Sequence, residues 1–166
     1  MGEGGWLVAF VVVMRVVELM VAQRNTARLR AGGAIEFGRA HYPFIVVLHA
    51  AWLVTLWIFG RHQNVDRILF AVFILLQGAR SWVIWSLGSR WTTRVIVMPG
   101  ATLVSRGPYR LMRHPNYAIV AAEIAVVPLA LGLPIIAVVF SLMNAVLLFW
   151  RIVIENAALK TASARK

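Results

Sequence analysis

The chain has 166 residues, of which 61% are hydrophobic and 14% charged, yet 17 Lys and Arg against 6 Asp and Glu give a formal net charge of +11. A nucleic-acid binder of that basicity would not reach a mean hydropathy of +0.78, and a chain this apolar is not disordered, so both facts point to an all-α integral membrane protein with basic loops on one face. The absence of cysteine excludes disulfides, zinc–thiolate sites and thiol nucleophiles.

Crossing the hydrocarbon takes about 20 mainly apolar residues as a helix, and five stretches are predicted to do so. The first runs from about Gly5 to Gln23; it lacks a basic leader and contains Arg15 and Glu18, so it does not read as a signal peptide. The second (about Pro43 to Gly60) and third (about Ile68 to Leu87) flank a short polar link and are predicted to be antiparallel. The fourth (about Tyr117 to Leu131) and fifth (Pro134 to Ile154) are joined by Gly132 and Leu133, a tight turn before a proline suited to a first helical position. Each is slightly short, which predicts tilt or ends that project past the lipid.

Lys and Arg fall unevenly between the loops. Residues 24–41, 88–116 and the C-terminal end from Arg151 carry 13, the opposite loop only Arg61 and Arg67, and Arg15 and Arg80 lie inside spans. Positive loops stay in the cytoplasm, so the N-terminus is expected outside and the C-terminus inside. The whole reads as one membrane-embedded domain, with residues 1–87 supplying three spans and 88–166 a long loop and the last two.

That loop, residues 88–116, exceeds the 2 to 8 residues usual between bundled helices and is the place to look for function. Thr92 to Leu103 mixes β-branched residues with Pro99 and Gly100, and Gly107-Pro108-Tyr109-Arg110 and Arg113-His114-Pro115-Asn116-Tyr117 follow. Pro115 keeps His114 out of helical geometry and suits the first turn of the fourth span. His114 and Asn116 then sit at a helix N-terminus that favours an anion. The residues leave open a second reading, a basic loop resting on anionic headgroups.

Ionisable residues within or at the ends of spans need partners. Arg15 and Glu18 are three apart and Arg151 and Glu155 four apart, so each pair can form along its own helix. Arg80 and Glu123 lie in the third and fourth spans. A charged ligand could occupy a cavity between the His114 loop and the Arg151 helix end.

Together, Gly107 to Arg110, Arg113 to Tyr117, and Arg151 with Glu155 some 34 and 38 positions after Tyr117 resemble the isoprenylcysteine carboxyl methyltransferase family of membrane enzymes, over roughly residues 70–160. The resemblance implies a pocket for S-adenosylmethionine (SAM) made by Ala101, Thr102, Leu103, Val104, Tyr109, His114, Pro115, Asn116, Tyr117 and Glu155. It implies a substrate-side role for Arg151, and no metal. Arg151, Glu155 and His114 are the candidate catalytic residues: Arg151 would stabilise an oxyanion, and His114 or Glu155 would serve as base. Two features depart from the family. Glu155 is followed by Asn156 rather than a second acid, with about ten residues beyond it, and Arg94 stands where eukaryotic members carry a glutamine at the cofactor.

In the front half, Arg15-Val16-Val17-Glu18, Ala22 to Asn25, Gly33 to Gly38, His41-Tyr42-Pro43 and Ser86 to Trp91 resemble small bacterial members associated with type III polyketide synthases. That narrower resemblance implies methylation of an alkylresorcinol or alkylpyrone hydroxyl, a lipid-like acceptor whose tail lies in the bilayer, at the bacterial inner membrane. It also implies a functional link to such a synthase. The competing expectations are carboxyl methylation of an isoprenylcysteine-like substrate, a small transporter using Arg15, Glu18, Arg80 and Glu123, and a non-catalytic membrane subunit whose basic face binds anionic lipid.

Overall fold

A computed structural model describes residues 2–101 and 104–163. The chain forms α1 (Glu3–Ala31), β1 (Ile35–Phe37), α2 (Tyr42–Gly60), α3 (Arg67–Leu87), β2 (Val95–Val97), α4 (Pro115–Ala130) and α5 (Pro134–Ser163), with short 3-10 turns at Arg39–His41, Gly88–Arg90 and Gly107–Arg110. The helix boundaries follow local chemistry. The Asp66 carboxylate caps α3, accepting from the Ile68 and Leu69 amides at 2.9 Å. Gly88 (φ +54°) ends it in a conformation that other residues resist.

The five predicted helices are present, and α1, α2, α3 and α5 are each long and apolar enough to cross a membrane. The fourth prediction needs revision: α4 has 16 residues, about 24 Å at 1.5 Å per residue, against a hydrocarbon core of about 30 Å. α1 and α5 err the other way. Their 29 and 30 residues reach about 44 and 45 Å, continuing well past the predicted Gln23 and Ile154. The two-stranded ribbon was not predicted; β1 pairs antiparallel with β2 in the register Ile35–Val97, Glu36–Ile96 and Phe37–Val95.

Leu7, Val8, Val11, Leu48, Trp52, Leu56, Phe73, Ile124 and Val127 form the buried core between the helices. Large apolar side chains such as Val47, Leu75, Trp85, Leu142 and Phe149 face outward, as lipid-facing positions require. Glycine permits a close helix approach: a Cβ on Gly4 would lie 2.1 Å from the Gly60 carbonyl oxygen, so α1 and α2 meet backbone to backbone there.

Arg15 pairs with Glu18 along α1 (2.9 Å), as the spacing predicts, but the larger network runs between helices. Arg80 of α3 grips Glu18 through Nε and Nη2 (2.5 and 2.7 Å) and reaches Glu123 of α4 through Nη1 (3.1 Å). Glu123 also accepts from Arg15 at 3.1 Å and from the Gln77 amide at 2.6 Å. Two guanidiniums and two carboxylates thus neutralise one another where α1, α3 and α4 meet, which offsets the cost of holding charge inside a span.

Candidate functional site

The ends of α1, α3 and α5 and the starts of α2 and α4 come together at one end of the bundle, where the ribbon closes over them. The ribbon is fixed by Glu36, whose side chain is only 2% exposed and which takes Arg94 at 2.7 Å, Arg39 at 3.1 Å and Arg30. Burial raises the Glu36 carboxyl pKa, but hydrogen bonds and charge from Arg94 and Arg30 outweigh it and hold the group below its ordinary value. Arg94 also lies 4.0 Å over the Tyr42 ring. Here it is engaged by Glu36 and Tyr42.

Further along, Gly107 adopts φ +59°, and a Cβ there would lie 2.2 Å from Ser86 Oγ. That close seat, with Arg106 Nε donating to the Ser86 carbonyl at 3.0 Å, docks the Gly107–Arg110 turn on the end of α3. Tyr109 in this turn is half-buried. Burial, then the Glu155 charge, pushes its hydroxyl pKa up to about 12, so it stays protonated at neutral pH.

Pro115 is the first residue of α4 and His114 stands outside it with φ −130° and ψ 61°, kept out of helical geometry by the proline that follows. The Tyr117 and Ala118 amides turn back onto the His114 carbonyl at 3.2 and 3.4 Å. The helix start therefore offers an anion its dipole rather than those two N–H groups. The His114 and Tyr117 rings stack with centroids 5.2 Å apart, and His114 Nδ1 lies 3.8 Å from Glu155.

The expected Arg151–Glu155 pair along α5 takes a different form. Arg151 Nε donates to the Tyr117 hydroxyl at 2.8 Å, and that hydroxyl donates to Glu155. The spacing correctly puts both charges on one face of α5, but the tyrosine from α4 stands between them. His114, Tyr117, Arg151 and Glu155 thus form one connected cluster, with Tyr109 within electrostatic reach. Ala101 is exposed, and its amide bonds the Met98 carbonyl (3.2 Å) rather than the cluster. Val104 and Asn116 are half-buried and Pro115 buried; Thr102 and Leu103 lie outside the described residues.

Sequence reasoning missed several residues that build this end. The Asn25 amide on the extension of α1 donates to the Gly88 and Trp91 carbonyls at 3.1 and 2.9 Å. The Tyr42 hydroxyl pairs with Thr93 at 3.2 Å, and His41 is buried against α5 at 2% exposure. The signal for them was the front-half motifs themselves, since Asn25, Glu36, His41 and Tyr42 all lie within those runs.

A family model described as the isoprenylcysteine carboxyl methyltransferase (ICMT) family matches residues 67–161. The chain is 38% identical to the uncharacterized protein YpbQ of Bacillus subtilis (strain 168) over 164 residues, covering 96% of this chain and 98% of the relative. It is also 25% identical to an uncharacterized protein of Haemophilus influenzae over 114 residues, 66% of each chain.

Proposed function

The chain belongs to the isoprenylcysteine carboxyl methyltransferase family, and from that premise we propose that it methylates the hydroxyl of a lipid-like acceptor, an alkylresorcinol or alkylpyrone, at the cytoplasmic face of the bacterial inner membrane. Enzymes of this family use SAM as methyl donor. The observation that carries the reading is the joining of His114 and Tyr117 at the start of α4 to Arg151 and Glu155 on α5, with Tyr117 34 and 38 positions before its two partners.

The residues fit the cofactor. His114 Nε2 and Asn116 Oδ1 are buried and have no hydrogen-bond partner among the described residues, so a ligand would supply what the chain leaves unmet. The carboxylate end of SAM suits the N-terminal dipole of α4. Glu155 suits its amino or sulfonium charge, Asn116 Oδ1 can accept an N–H, and Val104 and Tyr109 offer partly apolar walls. The bound cofactor supplies an electrophilic methyl group. Tyr117 holds Arg151 and Glu155 in fixed relation, so the acceptor-side cation and the cofactor-side anion keep their spacing. Arg151, buried at 7% exposure, is placed to stabilise a developing oxyanion. Beside it Phe149, Trp150 and Val153 are exposed on α5, a surface that suits an alkyl tail arriving from the bilayer. The 13-to-2 distribution of Lys and Arg supports a cytoplasmic site. A functional link to a type III polyketide synthase is part of the same proposal.

The test uses membranes carrying the protein, labelled SAM, and alkylresorcinol, alkylpyrone and prenylcysteine acceptors. Label is expected on the hydroxyl lipids, and Glu155→Gln and His114→Ala are expected to abolish SAM binding while the protein stays folded. Label confined to the prenylcysteine carboxylate would overturn the acceptor assignment. Normal SAM affinity in both variants would overturn the site.

A further inference from the structure

His41 occupies the last residue of the turn before α2 and is 2% exposed. Its ring lies against α5, 6.0 Å from the Trp150 ring. Among the described residues neither Nδ1 nor Nε2 has a partner at full hydrogen-bond geometry, although the Gly38 backbone acts on the ring as a hydrogen-bonding group. A buried imidazole so weakly met is costly, and the sequence makes special room for it. Gly38 adopts φ +61°, and a Cβ there would lie 2.7 Å from His41 Nδ1 and 2.7 Å from Ile154 Cγ2. The left-handed glycine thus lets β1 turn tightly enough to press His41 onto α5 between positions 150 and 154. Arg151 is the next residue along α5 from Trp150; besides burial, its charge, the Gly38 backbone and the Glu36 carboxylate of β1 all act on the imidazole.

The proposed reaction leaves one role unfilled. An acceptor phenol with a pKa near 10 is neutral at physiological pH and is a poor nucleophile until it loses its proton. Glu155 is engaged by the Tyr117 hydroxyl, and His114 is stacked on Tyr117 beside it; the functional reading above gives both to the cofactor. Resting on that functional reading, we propose that His41 is the general base of the reaction and takes the acceptor's hydroxyl proton beside Arg151. The O–H bond breaks with its proton going to an imidazole nitrogen, and the electron pair left on oxygen forms the new O–CH3 bond. The S–CH3 bond of the sulfonium breaks and its pair stays on sulfur, giving a neutral thioether. The positive charge that was on sulfur ends as imidazolium, which returns its proton to water. Arg151 holds the oxyanion during transfer, so base and electrophilic support come from α5 and the turn packed on it.

The experiment compares wild type with His41→Gln and His41→Asn in detergent or nanodiscs. SAM affinity should be unchanged in both variants, which also reports that they fold. Turnover of an alkylresorcinol should fall by about 10²- to 10⁴-fold, the usual contribution of a general base. The wild-type acid limb in the histidine range should vanish, and the residual rate should climb about tenfold per pH unit toward the phenol's own pKa near 10. The chain has four histidines, so ¹⁵N-histidine spectra can be assigned by substitution. The His41 nitrogens should shift when alkylresorcinol is added without SAM. An unchanged rate and pH profile in the variants, SAM affinity lost in step with rate, or His41 resonances indifferent to acceptor would each overturn the assignment to His41. If wild type transfers methyl to no hydroxyl lipid, the proposed function itself fails, and the need for a base fails with it.

Discussion

Removing one guanidinium from the buried network of α1, α3 and α4 should expose how much of the bundle depends on it. In Arg80→Met the hydrogen bonds from Nε and Nη2 to Glu18 and from Nη1 to Glu123 disappear together. Glu18 and Glu123, with side chains 8% and 4% exposed, are left with Arg15 as their only guanidinium among the described residues. The network passes from two charges of each sign to a net negative one. Breaking a buried pair by deleting one member costs about 3–5 kcal/mol, because the remaining charge stays desolvated. At 1.4 kcal/mol per tenfold, that lowers the folded-to-unfolded ratio by between about a hundredfold and a few thousandfold. Arg80→Met/Glu18→Gln restores neutrality, with Arg15 facing Glu123, and should be at least about 1 kcal/mol more stable than the single variant, a coupling normal for residues in one network. Denaturant unfolding in micelles, followed by tryptophan fluorescence, measures both differences. A single-variant cost below about 1 kcal/mol, or a double variant that loses the sum of the two single losses, would refute the view that charge balance holds these helices together.

Three further outcomes follow from the site. Tyr117→Phe removes the hydroxyl shared by Arg151 and Glu155; hydrogen bonds to charged groups contribute about 1.5–3 kcal/mol, so SAM affinity should fall roughly 10- to 100-fold in a direct titration. Gly107→Ala forces a Cβ against Ser86 Oγ at φ +59°, a strain of about 1–3 kcal/mol, seen as a lower midpoint of thermal unfolding. Glu36→Gln tests the ribbon. A carboxyl held below its unfolded pKa of about 4.3 stabilises the fold above that pH and loses the contribution as pH falls through its lowered native value. The stability gap between wild type and Glu36→Gln should therefore be steady from roughly pH 5 to 8 and close in stronger acid, as denaturant titrations across pH will show.

The helix count was legible because apolar run length is a strong signal, and the turn at Gly132 and Pro134 marked the break between α4 and α5. The true ends of α1 and α5 were not, because residues 24–31 and 155–163 mix charged and polar side chains with Ala and Leu and so carry no membrane signal. Strands of three residues leave only a few β-branched side chains to read, and Glu36 gains its meaning from arginines up to 58 positions away. Spacing along one helix revealed Arg15 with Glu18. It could not reveal Arg80 or Glu123 as partners, since those contacts depend on how three helices are aligned. The same limit held at the site. The motif supplied Tyr117, Arg151 and Glu155, but only packing of α4 against α5 put the tyrosine hydroxyl between the two charges.

The seam between β1 and β2 has a consequence for exchanging parts between relatives. One strand lies before the family-matched region of residues 67–161 and the other within it. The family-matched portion is thus completed by the first third of the chain: Glu36 engages Arg94, Asn25 ties down the turn at Gly88 to Trp91, and Glu18 and Arg15 engage Arg80 and Glu123. A chimera that keeps residues 67–161 and takes its front from another family member would fold only if the donor brings a strand able to re-form the Ile35–Val97 register and acids at the positions of Glu18 and Glu36. Compatibility at this seam, more than likeness in the motif-bearing loop, would decide which fronts can be transplanted.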